Sequence, residues 1–136
     1  MKPRILDLFC GAGGAARGYA DAGFEVVGVD NRPQPNYPFE FHLFDALEFD
    51  SGRFHAIHAS PPCQGYSTQT ADQSRHSRLI ERTRHRLEGF GVPYVIENVE
   101  GARRHLRNPI RLCGSSFGLD LRRHRYFEAN WPLVGK

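Results

Sequence analysis

The sequence predicts an α/β fold, a mostly parallel sheet that ends in an antiparallel hairpin. Three observations predict it. Short apolar runs of strand length alternate with helical or turn-rich stretches from residue 4 to residue 128, which is the mark of an α/β sheet. A glycine-rich turn directly follows the first run and opens the first helix. The last two runs, 110–113 and 124–128, flank a glycine-bearing stretch suited to a turn. At 136 residues, 40% hydrophobic and 24% charged, the chain has globular composition and room for one domain over 1–136, since domains usually run to about 100–200 residues.

The first strand runs from Arg4 to Phe9. Gly14 to Ala22 reads as a helix stopped by Gly23, and Phe24 to Val29 as a second strand that ends at Asp30. Pro33, Pro35 and Pro38 make the next stretch a loop, because proline removes backbone donors and restrains its neighbours. Phe41 to Phe44 is a weaker third strand, and Phe54 to His58 is the fourth, running into Ser60-Pro61-Pro62-Cys63. Between Arg75 and Phe90 the residues Leu79, Ile80, Thr83, Leu87 and Phe90 fall on one helical stripe, with the arginines largely on the other side. Gly89 and Gly91 end that helix. Pro93 to Ile96 is a fifth strand that delivers Glu97 and Asn98 at its carboxyl end. Ile110 to Cys113 and His124 to Glu128 form the final hairpin around 114–118.

Charge is distributed unevenly. Residues 1–70 hold 5 Lys/Arg against 8 Asp/Glu, and residues 71–136 hold 13 against 7. The basic second half suits a polyanion, although solvated helix faces and loops would look the same on charge alone. Cys10, Cys63 and Cys113 are isolated from one another, so neither a disulfide scaffold nor a zinc ribbon fits, and no metal is expected. No apolar run approaches the roughly 18 residues of a membrane helix, and a cytosolic chain is the expectation.

Gly11-Ala12-Gly13-Gly14-Ala15-Ala16 fits G-x-G-x-x-A between a strand and a helix, with Asp30 at the end of the next strand. Glycines let the backbone turn tightly and approach a ligand, and the acidic side chain accepts hydrogen bonds from ribose hydroxyls. Those features point to an adenosine-type nucleotide and leave a nicotinamide cofactor and S-adenosylmethionine both open. Asp45, after the third strand, can bind an adenine amino group or simply be solvated. In Ser60-Pro61-Pro62-Cys63-Gln64-Gly65-Tyr66-Ser67 two prolines stiffen the backbone before a cysteine that lies beyond the carboxyl end of a central strand. Ligands sit there in open α/β sheets, and a thiolate is intrinsically nucleophilic. A buried structural cysteine describes Cys10 and Cys113 better than Cys63. Glu97 should lie near Cys63 if strands four and five are neighbours. Partial burial should keep its proton on and let it donate to a ring nitrogen; a helix-capping or ion-paired role is the alternative.

Asp7-Leu8-Phe9-Cys10-Gly11-Ala12-Gly13-Gly14, Pro61-Pro62-Cys63-Gln64-Gly65-Tyr66-Ser67, Glu97-Asn98-Val99 and Arg123-His124-Arg125 together resemble, in order, the signature blocks of DNA cytosine-5 methyltransferases. The resemblance runs from Ile5 to about Phe127. It implies a Rossmann-like S-adenosylmethionine-dependent methyltransferase sheet, S-adenosylmethionine as cofactor, and DNA with a flipped-out cytosine as substrate. It further implies a catalytic set of Cys63, Glu97, Arg123 and Arg125. Phe9, Gly11, Gly13, Gly14, Asp30, Asp45 and Pro61 would face the cofactor, and Pro62, Gln64, Tyr66, Ser67 and Asn98 the substrate. Phosphate contact or plain surface charge is the other reading of the two arginines. Asp30 stands where the family commonly has Glu.

After Phe127 the family pattern continues with a target-recognition region and two further blocks, whereas here Glu128 to Lys136 follow. The expectation is therefore a methyltransferase of low specificity, or one completed by a second polypeptide or by self-association. A truncated or degenerate copy, acting as a cofactor- or DNA-binding module without turnover, is the alternative. A nicotinamide-dependent oxidoreductase would explain the glycine turn alone.

Overall fold

The computed structural model describes residues 1–62, 73–113 and 124–132, with the side chains of residues 73–78, 100 and 113 outside that description. Its strands, in chain order, are β1 (Arg4–Leu8), β2 (Glu25–Asp30), β3 (Glu40–Leu43), β4 (Ala56–Ala59), β5 (Tyr94–Asn98), β6 (Ile110–Cys113) and β7 (His124–Ala129), and its helices are α1 (Gly14–Asp21) and α2 (Gln73–Glu88). The strands form one sheet in the order β3-β2-β1-β4-β5-β7-β6. The first five are parallel, and β7 enters antiparallel between β5 and β6. The alternating pattern of the sequence is thus realised as an α/β sheet with an antiparallel pair at its C-terminal edge. The turn expected at 114–118 lies outside the described residues.

Strands β1 and β2 are apolar along most of their length because both faces are covered. Leu6, Leu8, Val27, Val29, Ile57, Ala59 and Ile96 pack toward Ile80 and Leu87 of α2. On the other face Ile5 and Val26 meet Ala16 of α1, with Tyr19, Phe24 and Tyr37 around them. Helix α1 ends where the sequence placed its stop, at Gly23 in the left-handed region with φ 103°, a conformation that favours glycine.

Two features differ from the sequence reading. A short 3-10 helix, Glu100–His105, follows β5 and buries Ala102 against the core; six residues with only one small side chain in the core leave no helical periodicity to read. The arginines of α2 are not all on its outer side. Arg84 is buried, and Arg86 reaches inward to donate to the Phe49 carbonyl at 2.8 Å.

The partner of Arg84 is Glu128 in β7. Arg84 Nε donates to Glu128 Oε2 at 2.8 Å and Nη2 to Oε1 at 2.6 Å. The same carboxylate accepts from Tyr94 Oη in β5 at 3.2 Å and from the Arg107 amide at 2.7 Å, while Arg84 Nη2 also donates to the His105 carbonyl at 2.8 Å. Burial by itself favours the neutral acid, but the bonds from Arg84 and Arg107 outweigh it and hold the Glu128 carboxyl below its ordinary range.

Breaking a buried pair from one side leaves an unpaired interior charge. Glu128→Gln is therefore expected to cost about 3–5 kcal/mol in urea denaturation. Because the carboxyl is depressed, its stabilisation is present above the ordinary value of 4.5 and is lost as pH falls below it. Melting temperature against pH should show that acid limb in the wild type and lack it in the variant.

Candidate active site

The carboxyl ends of the parallel strands carry the site, the usual place for ligands in open α/β sheets. The turn from β1 to α1 is built from left-handed residues: Phe9 at φ 55°, Gly11 at φ 55° and Gly13 at φ 104°. A bulky residue pays a steric penalty there, and such outliers gather at ligand sites. Asp30, at the end of β2, accepts from the Gly11 amide through Oδ2 and from the Arg32 amide through Oδ1, both at 3.0 Å. Phe9, Asp30, Asn31, Arg32, Gln34 and Pro62 line a cleft of about 300 Å³.

Gly13 has a structural requirement of its own. Beyond its positive φ, a Cβ there would press on Tyr37 and Pro38. A Cβ added at Gly11 or Gly14 would meet nothing within 4 Å among the described residues, which leaves space on that side for a ligand. Asp45 is exposed, accepts from the Leu47 amide at 2.9 Å, and does not line the cleft. Of the two prolines, Pro62 lines the cleft. Pro61 is buried, and its carbonyl accepts from Asn98 Nδ2 at 3.1 Å. Asn98 is itself buried and its Oδ1 accepts from the Val99 amide at 2.9 Å. Both polar ends of Asn98 are thus engaged with backbone, tying the Pro-Pro segment to β5.

Strands β4 and β5 are neighbours, with His58 opposite Val95. Glu97, two residues on, therefore emerges on the same face as His58. Its Oε1 lies 3.2 Å from His58 Nε2 and accepts from Ser60 Oγ at 3.4 Å, while its Oε2 lies 3.7 Å from Arg125 Nε. This overturns the expectation that burial keeps the proton on Glu97. Burial does favour the acid, but the bond and charge of His58, followed by the charge of Arg125, prevail and hold the carboxyl below its ordinary range. Cys63, Gln64, Tyr66, Ser67 and Arg123 lie outside the described residues. Cys10 is buried, and burial pushes its thiol up to about 12, which fits an inert structural role.

The sequence reading missed His58, Asp7 and Tyr19 as members of this cluster. His58 is 2% exposed; its Nδ1 sits 2.7 Å from Tyr19 Oη and its Nε2 2.8 Å from Ser60 Oγ. Asp7 stands beside it in β1 and accepts from Tyr37 Oη at 3.2 Å. Gly28, on the other flanking strand, makes room for the Tyr37 ring, which any Cβ there would strike. Burial pushes Asp7 up to about 6. A histidine and an aspartate inside apolar strands were the available signal, since such residues are rarely buried unless paired. On the same face, toward the other end of the strands, lies an apolar trough of about 570 Å³ whose walls include Ile5, Val95, Phe127 and Trp131.

The sequence profile of C-5 cytosine-specific DNA methylases matches residues 3–108. The chain belongs to that family. It is 29% identical over 120 residues to the Type II methyltransferase M.AgeI of Thalassovita gelatinovora, an alignment covering 72% of this chain and 28% of that protein. It is 37% identical over 117 residues to the Type II methyltransferase M.HgiGI of Herpetosiphon aurantiacus, covering 74% of this chain and 93% of that protein. This methylase domain therefore spans under a third of one relative and nearly all of another. Its fold is that of S-adenosylmethionine-dependent methyltransferases. Magnesium protoporphyrin IX methyltransferase from Synechocystis PCC 6803 superposes with a TM-score of 0.61 at 11% identity, over 94% of this chain and 69% of that one.

S-adenosylmethionine is the family's cofactor, and the cleft is suited to it. Asp30 keeps acceptor capacity beyond its two backbone bonds, the Phe9 ring offers an apolar wall, and the open side of Gly11 and Gly14 admits close approach. No helix among the described residues is long and apolar enough to cross a membrane.

The raised carboxyl of Asp7 has a measurable consequence. Folding favours its protonated form, so this stabilisation is complete below the ordinary value of 3.8 and is lost as pH rises through about 6. Thermal melting of the wild type should fall across that window, and Asp7→Asn should flatten it and raise stability at neutral pH by roughly 2–3 kcal/mol.

Proposed function

We propose that this methylase transfers a methyl group from S-adenosylmethionine to carbon 5 of cytosine in DNA through a covalent adduct with Cys63. The observation that carries the reading is the placement of Glu97. It stands at the carboxyl end of β5 between His58 and Arg125, and Asn98, the next residue, holds the Pro61-Pro62 segment that runs into Cys63. The cleft lined by Phe9, Asp30 and Pro62 opens on the same edge of the sheet.

Carbon 5 of cytosine is a poor nucleophile. Attack of the Cys63 thiolate on carbon 6, with Glu97 holding or protonating ring nitrogen 3, moves electron density onto carbon 5. The cofactor supplies an electrophilic methyl group when bound. Loss of the carbon 5 proton to water, return of any nitrogen 3 proton to Glu97 and expulsion of the cysteine then restore the aromatic ring and the free thiolate. Arg125, with Arg123 beside it in sequence, places positive charge where the adduct develops negative charge. Phe9, Gly11, Gly13, Gly14 and Asp30 hold the cofactor, while Gln64, Tyr66 and Ser67 contact the flipped base. Flipping costs a few kcal/mol, and the basic residues of the second half offset part of it through phosphate contacts.

The apolar trough supports completion by further chain, because an open apolar surface of this kind on a soluble domain ordinarily meets a partner. Transfer of tritiated methyl groups from S-adenosylmethionine to mixed-sequence DNA tests the proposal. Incorporation should vanish in Cys63→Ala and fall about 100-fold or more in Glu97→Gln, and an oligonucleotide bearing 5-fluorocytosine should trap the wild type covalently. Cofactor binding by calorimetry with neither incorporation nor trapping would instead identify a binding module without turnover.

A further inference from the structure

Glu97 presents a problem of supply. The proposed reaction asks it to give ring nitrogen 3 a proton as Cys63 adds to carbon 6, yet its surroundings hold it as a carboxylate. The proton must come from a neighbour. Among the described residues three groups face its oxygens: Arg125 Nε at 3.7 Å, Ser60 Oγ at 3.4 Å and His58 Nε2 at 3.2 Å. A guanidinium does not deprotonate in proteins and a serine hydroxyl does not ionise near neutrality. Of the three, imidazole is the side chain that both gives and takes back a proton in general acid–base work.

We propose that His58 is the positioning residue and proton store for Glu97. This rests on the reading that Glu97 faces the flipped cytosine. As the thiolate adds to carbon 6, the His58 Nε2–H bond breaks and its proton passes to Glu97 Oε1, directly or across Ser60 Oγ. A proton leaves the Glu97 carboxyl for ring nitrogen 3, whose N–H bond forms. Imidazolium becomes imidazole and Glu97 ends as it began. When the cysteine is expelled, the proton on nitrogen 3 returns by the same route, so the store is refilled in each turnover.

The surroundings of the ring suit this task. Tyr19 Oη on α1 fixes Nδ1 at 2.7 Å, so the ring cannot swing away. Asp7 on β1 faces it across the strand pair and attracts its positive charge, with Tyr37 donating to Asp7 Oδ2. Glu97 attracts that charge from β5, and Arg125 on β7, beyond Glu97, opposes it. The result is a histidine between two carboxyls whose proton affinities are driven apart, Asp7 upward and Glu97 downward, an arrangement that recurs where acid and base roles are divided. Its 2% exposure keeps bulk water from exchanging the proton freely.

His58→Gln keeps an N–H donor toward Glu97 but has no proton to give. In the tritiated-methyl assay kcat should fall about 100-fold with KM little changed, and the alkaline limb of the wild-type pH profile should disappear. Unchanged kcat with an unchanged limb overturns the proposal. A second measurement needs no variant. In a pH series on the wild-type protein, nitrogen NMR of the His58 ring and carbon NMR of the Glu97 carboxyl should respond together, in one shared step. A ring that stays in one neutral tautomer throughout the series, with no response at Glu97, overturns the proposal whether or not His58→Gln folds. If the wild type itself incorporates no methyl group, the proposed function fails, and the NMR still decides on His58 and Glu97.

Discussion

The buried pair of Arg84 and Glu128 determines how the C-terminal third of this fold is assembled. One carboxylate gathers a guanidinium from α2, a hydroxyl from β5 and an amide from the segment leading into β6. Its effect is geometric more than energetic, since removing two charges from water offsets much of what the pair gains. Fixing Glu128 opposite Ile96 fixes the register of β7 on β5. In that register Arg125 falls beside Glu97, and a slip of one residue would turn it to the opposite face. The electrostatics of the site thus depend on an ion pair buried on the far side of the sheet.

That division between faces runs through the whole sheet. The face toward α2 carries the larger apolar core and the Arg84–Glu128 pair. The face toward α1 carries Asp7, His58, Ser60, Glu97 and Arg125 near the carboxyl ends of the strands, and apolar side chains toward the other end. Strand alternation makes such a ladder possible, because residues two apart share a face and paired residues sit side by side. Burying several ionisable groups is costly unless each is bonded, and each has a partner: Tyr37 for Asp7, Tyr19 and Ser60 for His58, His58 and Arg125 for Glu97.

The basic second half looks different once the fold is known. Arg84 spends its charge inside, Arg86 is engaged by the Phe49 carbonyl and Asp50, and Arg125 stands at the site. Arg103 lies over the Tyr126 ring at 5.5 Å. Among the described residues, fewer arginines are left to meet a polyanion than the sequence count implies.

Most of the architecture is legible in the chain before any contact is known: the strands, both helices, the C-terminal antiparallel pair and the methylase family. Those are local signals, made of apolar runs, glycine and proline punctuation, and motif blocks in order. Asp30 beside the glycine turn and Glu97 at a strand end were legible in the same way. Which polar residues meet was settled by tertiary packing alone. His58 looked like an ordinary strand residue and Arg84 like part of a solvated face, Asp7 stood only as the first residue of a signature block, and the protonation of Glu97 came out opposite to what burial alone implied. Hydrogen bonds and charges act across strands far apart in sequence, Arg84 to Glu128 and His58 to Glu97, where register and burial set both partner and sign.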